Sequence, residues 1–315
     1  MNRIARQLLP FVSLVLIVVI LSVMVPHDFL RWSNLENVFR RSTVNLIIAL
    51  GMTAIIISGG IDLSVGSMLA LSGMAGAWTM LHFGGENLAG HSMLIGTLAG
   101  VMAGLVCGLL NGVLLTKLKL PPFIVTLGTM SSFRGISYVM NDGQPYNVPQ
   151  YTFLGSGDVF GLPVSVLISI VLIGIASFVL RYTPLGRYTY SIGSNREASY
   201  HAGVNVDRNL IAIYTLAGLL VGIAAMIATS RTVSAQPTAG ISLELDVIAA
   251  VVIGGASLSG GRGTILGTVI GTLLISFLRN GCTLLGISTN VQLIVIGVII
   301  IAAVAVDQMT RSKVK

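Results

Sequence analysis

Charge is scarce in these 315 residues: 9% are Asp, Glu, Lys or Arg, against roughly 25% in an ordinary soluble domain. Over half of the chain, 54%, is hydrophobic, and the mean hydropathy is +0.91. A water-soluble globule of this size could not hide so much apolar surface, so lipid must cover part of it. Cysteine is nearly absent too. Cys107 and Cys282 both sit in apolar stretches and read as buried thiols, with no disulfide or metal framework. Lysine occurs four times, at Lys117, Lys119, Lys313 and Lys315, and never after a glycine. A phosphate-binding loop of the Gly-Lys-Ser/Thr kind is therefore excluded, and Gly59-Gly60 and Gly260-Gly261 read as turns or packing sites. No H-E-x-x-H, no G-x-S-x-G and no acid cluster occurs in the apolar runs, so no enzyme, metal or bound cofactor is expected. The net charge of +7 is spread thinly between those runs, which favours membrane orientation over nucleic acid.

What is present is a succession of apolar runs. A spanning helix needs about 20 mostly apolar residues, and ten segments qualify or nearly so: 7–26, 42–59, 62–82, 92–116, 121–141, 162–181, 208–230, 243–257, 264–284 and 290–307. The first follows Arg3 and Arg6 but is long for a leader and lacks a small-residue cleavage site, so it is expected to stay as a helix. The expected fold is an all-α integral membrane protein, a single transmembrane domain over 1–315. With the N-terminus inside, twelve of the eighteen basic residues fall on the inner side: Arg3, Arg6, Lys117, Lys119, Arg181, Arg187, Arg196, Arg208, Arg262, Arg311, Lys313 and Lys315. Arg31, Arg40, Arg41 and Arg231 fall outside. The bias places both termini in the cytoplasm, and an even number of spans agrees.

Two stretches resemble each other. Residues 96–104 read GTLAGVMAG and 263–271 read GTILGTVIG; each precedes an Asn-Gly pair, Asn111-Gly112 and Asn280-Gly281. Upstream lie GIDLS at 60–64 and GISLE at 240–244. An offset of five spans would turn the second copy upside down, as in the inverted repeats of transporters; the other reading is convergence of Gly-rich membrane helices. Gly96, Gly100, Gly104, Gly108 and Gly112 recur every four residues, which puts them on one helix face and allows close approach to a neighbour.

The inner stretch 182–207 is the longest on its side. Ser194, with Glu197 three residues on, predicts a capping box, and Gly203 a left-handed stop, giving a short helix over 194–202. It reads either as a plain connector or as a docking helix for a cytoplasmic partner. Asp62 reads either as a helix cap or as an acid in the pathway or at its mouth. Arg134 and Arg279 lie within spans, in the outer third by rise, while Glu244 and Asp246 open the eighth span on that side. They read as an outer charge cluster bracing a gate, or as arginines snorkelling to headgroups. The outer segments 142–161 and 231–242 are polar, and by topology they are the surfaces for an external partner. His27, His82 and His91 lie singly near helix ends and share no ligand spacing.

Four blocks carry a family resemblance: SGGIDLSVGSMLALSG at 58–73, PPFIVTLGTMSSFRG at 121–135, TPLGRYTYSIGSNREAS at 183–199, and SAQPTAGISLELDVIAAVVIGGASLSGGRGTILGT at 234–268. The chain resembles the permease subunits of ribose-type sugar ABC transporters, in the branched-chain amino acid/ribose-type permease family, over nearly its whole length. The resemblance implies a multi-pass protein of the bacterial inner membrane that dimerises with a second permease copy, identical or related. It also implies sugar delivered by a periplasmic binding protein, and ATP held by separate ATPase subunits. It implies a coupling loop at Gly186–Gly203, with Ser194, Asn195, Arg196, Glu197, Ala198 and Gly203 in contact with the ATPase. The competing expectation is an ion-coupled secondary transporter, which would need Asp, Glu or His at mid-membrane; only Asp62 comes near that.

Overall fold

The computed structural model describes residues 3–84 and 90–312. Lys313 and Lys315 of the inner basic set lie outside the described residues. Helices account for almost all of the regular structure: α1 Arg3–Met24, α2 Trp32–Ile57, α3 Val65–Gly84, α4 Gly90–Lys117 and α5 Pro122–Val139. A polar interlude follows, with strand β1 Tyr146–Asn147, the one-turn α6 Phe153–Ser156, and strands β2 Asp158–Val159 and β3 Leu162–Pro163. Then come α7 Val164–Tyr182, α8 Pro184–Ser194, α9 Arg196–His201, α10 Val206–Thr232, strand β4 Ser234–Ala235, α11 Leu243–Ile253, α12 Ile265–Leu284 and α13 Thr289–Ser312. Five of these, α2, α4, α7, α10 and α12, are long and apolar enough to cross a membrane.

Local chemistry sets many of the boundaries. Pro122 occupies the first turn of α5, where its missing N–H costs nothing. Asn205 caps α10 by accepting from the Arg208 amide at 3.0 Å, and Thr264 caps α12 by accepting from Gly267 at 3.0 Å. The end of α11 is earlier than the expected 257, because Gly255 turns the chain at φ +92°. The start of α2 is ten residues earlier than the expected 42. Hydropathy hides this extra length because it holds Glu36, Arg40 and Arg41. Glu36 and Arg40 pair one turn apart at 2.7 Å, which suits a helix. Arg40 and Arg41 therefore belong to a helix and not to an outer loop.

The core forms around α2 and α10. From Ser42 to Ile57 almost every residue of α2 is buried, and Gly51 lets Ala217 of α10 come so close that an added Cβ would lie 2.9 Å from its Cα. The five glycines of α4 do what their spacing predicts. Gly104 and Gly108 face Gly218 and Gly222 of α10, with no room for side chains, and Gly112 faces Ile211. The opposite face of α4 exposes Leu94, Leu98, Met102 and Val106, and α7 exposes Ile170, Val171, Ile175 and Phe178. Such apolar exposure is stable only against lipid or another apolar partner. β1 pairs antiparallel with β4, Tyr146 opposite Ala235, and so joins the two segments expected to face outward.

Candidate functional site

Two breaks in the helical pattern, 58–64 and 236–242, come together. The first leaves the end of α2 and turns at Gly59, φ +85°; the second follows α10 and turns at Gly240, φ +70°. Gly66, at the start of α3, and Gly240 touch backbone to backbone: an added Cβ on Gly240 would lie 2.6 Å from the Gly66 carbonyl oxygen, and one on Gly66 would overlap the Gly240 carbonyl. GISLE is thus brought against Gly66, two residues beyond the resembling GIDLS. The packing behind them repeats as well. Gly100 of α4 sits on the Ser72 carbonyl of α3, and Gly267 of α12 sits on the Gly254 carbonyl beyond α11.

Asp62 is buried in the first break, 1% exposed. Its Oδ1 accepts from the Ser64 amide at 2.8 Å and the Ser64 hydroxyl at 2.6 Å, and Asn111 of α4 donates to Oδ2 at 3.3 Å and to Ser64 Oγ at 2.8 Å. The carboxylate therefore organises the turn leading into α3 from three residues ahead of the helix. Asn280, the counterpart of Asn111, exchanges amide hydrogen bonds with Asn34 of α2 at 2.8 and 3.1 Å. Each Asn-Gly pair thus cross-links its helix to a neighbour.

The charges around the second break divide their work. Arg134 of α5 donates from one nitrogen to the Pro237 and Ala239 carbonyls, at 2.6 and 2.7 Å, and so holds the break itself. Arg279 of α12 donates to both oxygens of Asp246, at 2.7 and 2.8 Å. Glu244 lies half-buried beside Gly66 and is not the partner of Arg279. The charges gather as the sequence suggests, but the acid that Arg279 selects is Asp246, one turn along α11 from its start.

The 182–207 stretch corrects the capping expectation. Ser194 ends α8, and the cap of α9 is Asn195, whose Oδ1 accepts from the Ala198 amide at 2.9 Å. Ser and Asn are nearly equal caps. The choice falls on Asn195 because α8 is amphipathic and stays helical to Ser194, burying Gly186, Thr189 and Ile192. Gly203 does stop the helix, at φ +84°, and the Val204 amide closes the motif on Ser199 at 3.1 Å. Arg196, Glu197 and Ala198 are exposed beside an open recess of about 990 Å³, which Lys119, Tyr200 and Asp207 also line.

The sequence reading missed how α8 is joined to the core. Gly193 packs so tightly on the Ile57 carbonyl, at the end of α2, that an added Cβ would overlap it. The Gly261 amide donates to that same carbonyl at 2.8 Å, and Gly260 and Gly261, at φ +81° and +73°, bring the 257–263 turn against Gly193 and Ser194. Tyr190 donates to the Gly263 carbonyl at 2.8 Å, and burial pushes its phenol above the usual range. The glycines were visible in the sequence; their mutual contact was not. A second miss is α5, which exposes Gly128, Ser131, Ser132 and Gly135 on one side, and nothing packs on the two glycines.

A bundle with two internal breaks and a surface helix keyed into one of them is the architecture of a transport protein. The chain belongs to the family described as the permease component of branched-chain amino acid transport systems, which it matches over residues 34–304. It is 46% identical to the ribose import permease protein RbsC of Bacillus subtilis, over 98% of this chain and 94% of the relative. It is 41% identical to RbsC of Haemophilus influenzae, over 96% and 93%. The D-allose transport system permease protein AlsC of Escherichia coli is 37% identical, over 95% and 90%. No solved structure matches the chain.

Proposed function

We propose that this chain is the membrane-spanning permease subunit of an ABC importer for a monosaccharide, one transmembrane domain over 1–315 in the bacterial inner membrane. A sugar-binding protein delivers the substrate from outside, separate ATPase subunits hold the ATP inside, and a second permease copy completes the path. The joint of α8 with the end of α2 carries the reading. A surface helix locked backbone to backbone onto the core can pass a displacement into it, because close-packed interiors transmit strain. Exposed Arg196, Glu197 and Ala198 form the handle, and Gly193 passes its position to Ile57, five residues before buried Asp62.

Ten spans with both ends inside would use the nine helices of 18 residues or more together with the shorter α11, and the matching glycine packing of α4 and α12 supports an inverted repeat. The bare face of α5, with its small residues and hydroxyls, is the surface two copies would turn toward a shared path. ATP binding would favour the conformation to which α8 fits better, since a ligand shifts an equilibrium only through different contacts in the two states. Arg134, Glu244, Asp246 and Arg279 brace the gate by fixing the second break. An ion-coupled carrier would need a mid-membrane acid free to exchange, whereas Asp62 is already held by Ser64 and Asn111. Purification of the tagged chain from its host, followed by uptake in proteoliposomes, tests the reading. Co-elution of an ATPase and vanadate-sensitive sugar uptake are expected; uptake stopped by an uncoupler but not by vanadate would overturn it.

A further inference from the structure

Five polar side chains line one recess between α2, α3, α10 and the second break: Asn45, Thr229, Arg231, Ser234 and Gln236. None has a side-chain hydrogen bond or ion pair among the described residues, and Arg231 Nη1 and Ser234 Oγ are both shielded and unpartnered. Val44, Leu69 and Leu243 form an apolar wall of the same space, whose volume is about 250 Å³. It adjoins a wider recess of about 650 Å³ at the start of α2, where Asn37, Arg41 and Ser156 stand; the two share Arg231 and Thr232.

Shielded polar groups normally find partners; Arg231 Nη1 and Ser234 Oγ have none, and Asn45, Thr229 and Gln236 stand beside them on the same recess. Their chemistry narrows its class. Arg231 offers only donors, in a planar fork that suits two adjacent oxygens. Asn45 and Gln236 donate and accept, as do the hydroxyls of Thr229 and Ser234. A cation is repelled by Arg231, an apolar molecule leaves all five unpaired, and a simple anion takes only the donors of the amides and hydroxyls and leaves their acceptors unused. A neutral polyhydroxyl ring answers every group: hydroxyls on its rim, C–H bonds against Val44, Leu69 and Leu243. At about 30 Å³ per water, the space equals about eight waters, enough for one pentose or hexose and not for a disaccharide.

We propose that this space is a monosaccharide subsite inside each protomer, with Arg231 at its threshold and the wider recess as its approach. The inference rests on the sugar-importer reading and adds a stopping place beside the path between two copies. The loop that walls it off from α5 is the one whose Pro237 and Ala239 carbonyls Arg134 holds. Loosening that clamp opens the subsite toward the bare face of α5.

The test uses Ser234→Cys in the complete transporter, since Cys107 and Cys282 are buried. A thiosulfonate reagent labels the new thiol, and saturating ribose or allose is expected to slow labelling about fivefold, with no effect of equimolar succinate. Adding Asn45→Leu, or Arg231→Lys, which keeps the charge and loses the fork, should abolish the protection at an unchanged melting temperature. Labelling indifferent to sugar, in a complex that still imports sugar, overturns the subsite alone and leaves a water-filled space. Protection by succinate alone makes it an anion site and overturns it equally. Failure of the unsubstituted complex to import any sugar sinks the functional reading and the subsite with it.

Discussion

The two ends of the bundle are fastened differently. At the α8 end, Gly193, Ile57 and Gly261 meet backbone on backbone, and an added Cβ on Gly193 has nowhere to go. Around the second break one backbone contact, Gly240 on Gly66, is joined by long side chains: Arg134 reaching two carbonyls, Arg279 reaching Asp246, with open space behind them. Backbone contacts have no rotamers and transmit displacement almost without loss; interiors are too closely packed to absorb it. Side-chain fastenings break and remake at modest cost. The difference teaches a division of labour: a stiff joint on the side where ATP would act, and a releasable latch around the space where substrate would wait.

Substitutions can break or sharpen this contrast. The largest effect is expected for Gly193→Val, which forces the joint apart. Overpacking of this kind costs about 3 kcal/mol, and sugar uptake should vanish; near-normal melting and uptake would mean that the joint is not stiff. Next comes Asp246→Asn, which leaves Arg279 without its charge partner. Stranding a fully buried ion costs 3–5 kcal/mol, but Arg279 is 27% exposed, so a loss of about 2 kcal/mol in denaturant unfolding is expected. The swap Asp246→Arg with Arg279→Asp should recover part of it, whereas swapping Glu244 with Arg279 should not. Arg134→Met removes two bonds to carbonyls of the second break and should cost about 1 kcal/mol, visible as faster proteolysis or hydrogen exchange of 236–240. Smallest in stability is Glu197→Lys, on the exposed helix α9. Its melting temperature should stay unchanged while ATP-driven uptake falls severalfold; intact uptake would remove α9 from the coupling.

The helical character was legible because apolar runs of about twenty residues leave few alternatives to a spanning helix. The Gly96–Gly112 face and the Gly203 stop were legible for a similar reason: both depend on local geometry, four residues per step in one case and a positive φ in the other. The start of α2 was not, since Glu36 and Arg40 look like loop residues until their pairing one turn apart is seen. The capping box at Ser194 failed because two good caps stand side by side, and the choice was made by Thr189 and Ile192 finding a surface to bury against. The partner of Arg279 could not be chosen between Glu244 and Asp246, which differ by two positions and so point to different sides of α11.

By itself the sequence determined that the chain belongs among lipid-facing helices, the apolar part of most of them, and that certain glycines must lie against something, because these follow from solvation and backbone sterics within a single turn or span. Only the tertiary structure decided what the glycines meet, which acid each arginine takes, and that Gly66, two residues past GIDLS, meets Gly240 of GISLE. Those contacts join residues 33 positions apart for Arg279 and Asp246 and 174 apart for Gly66 and Gly240, and their energies depend on distances that no local rule fixes.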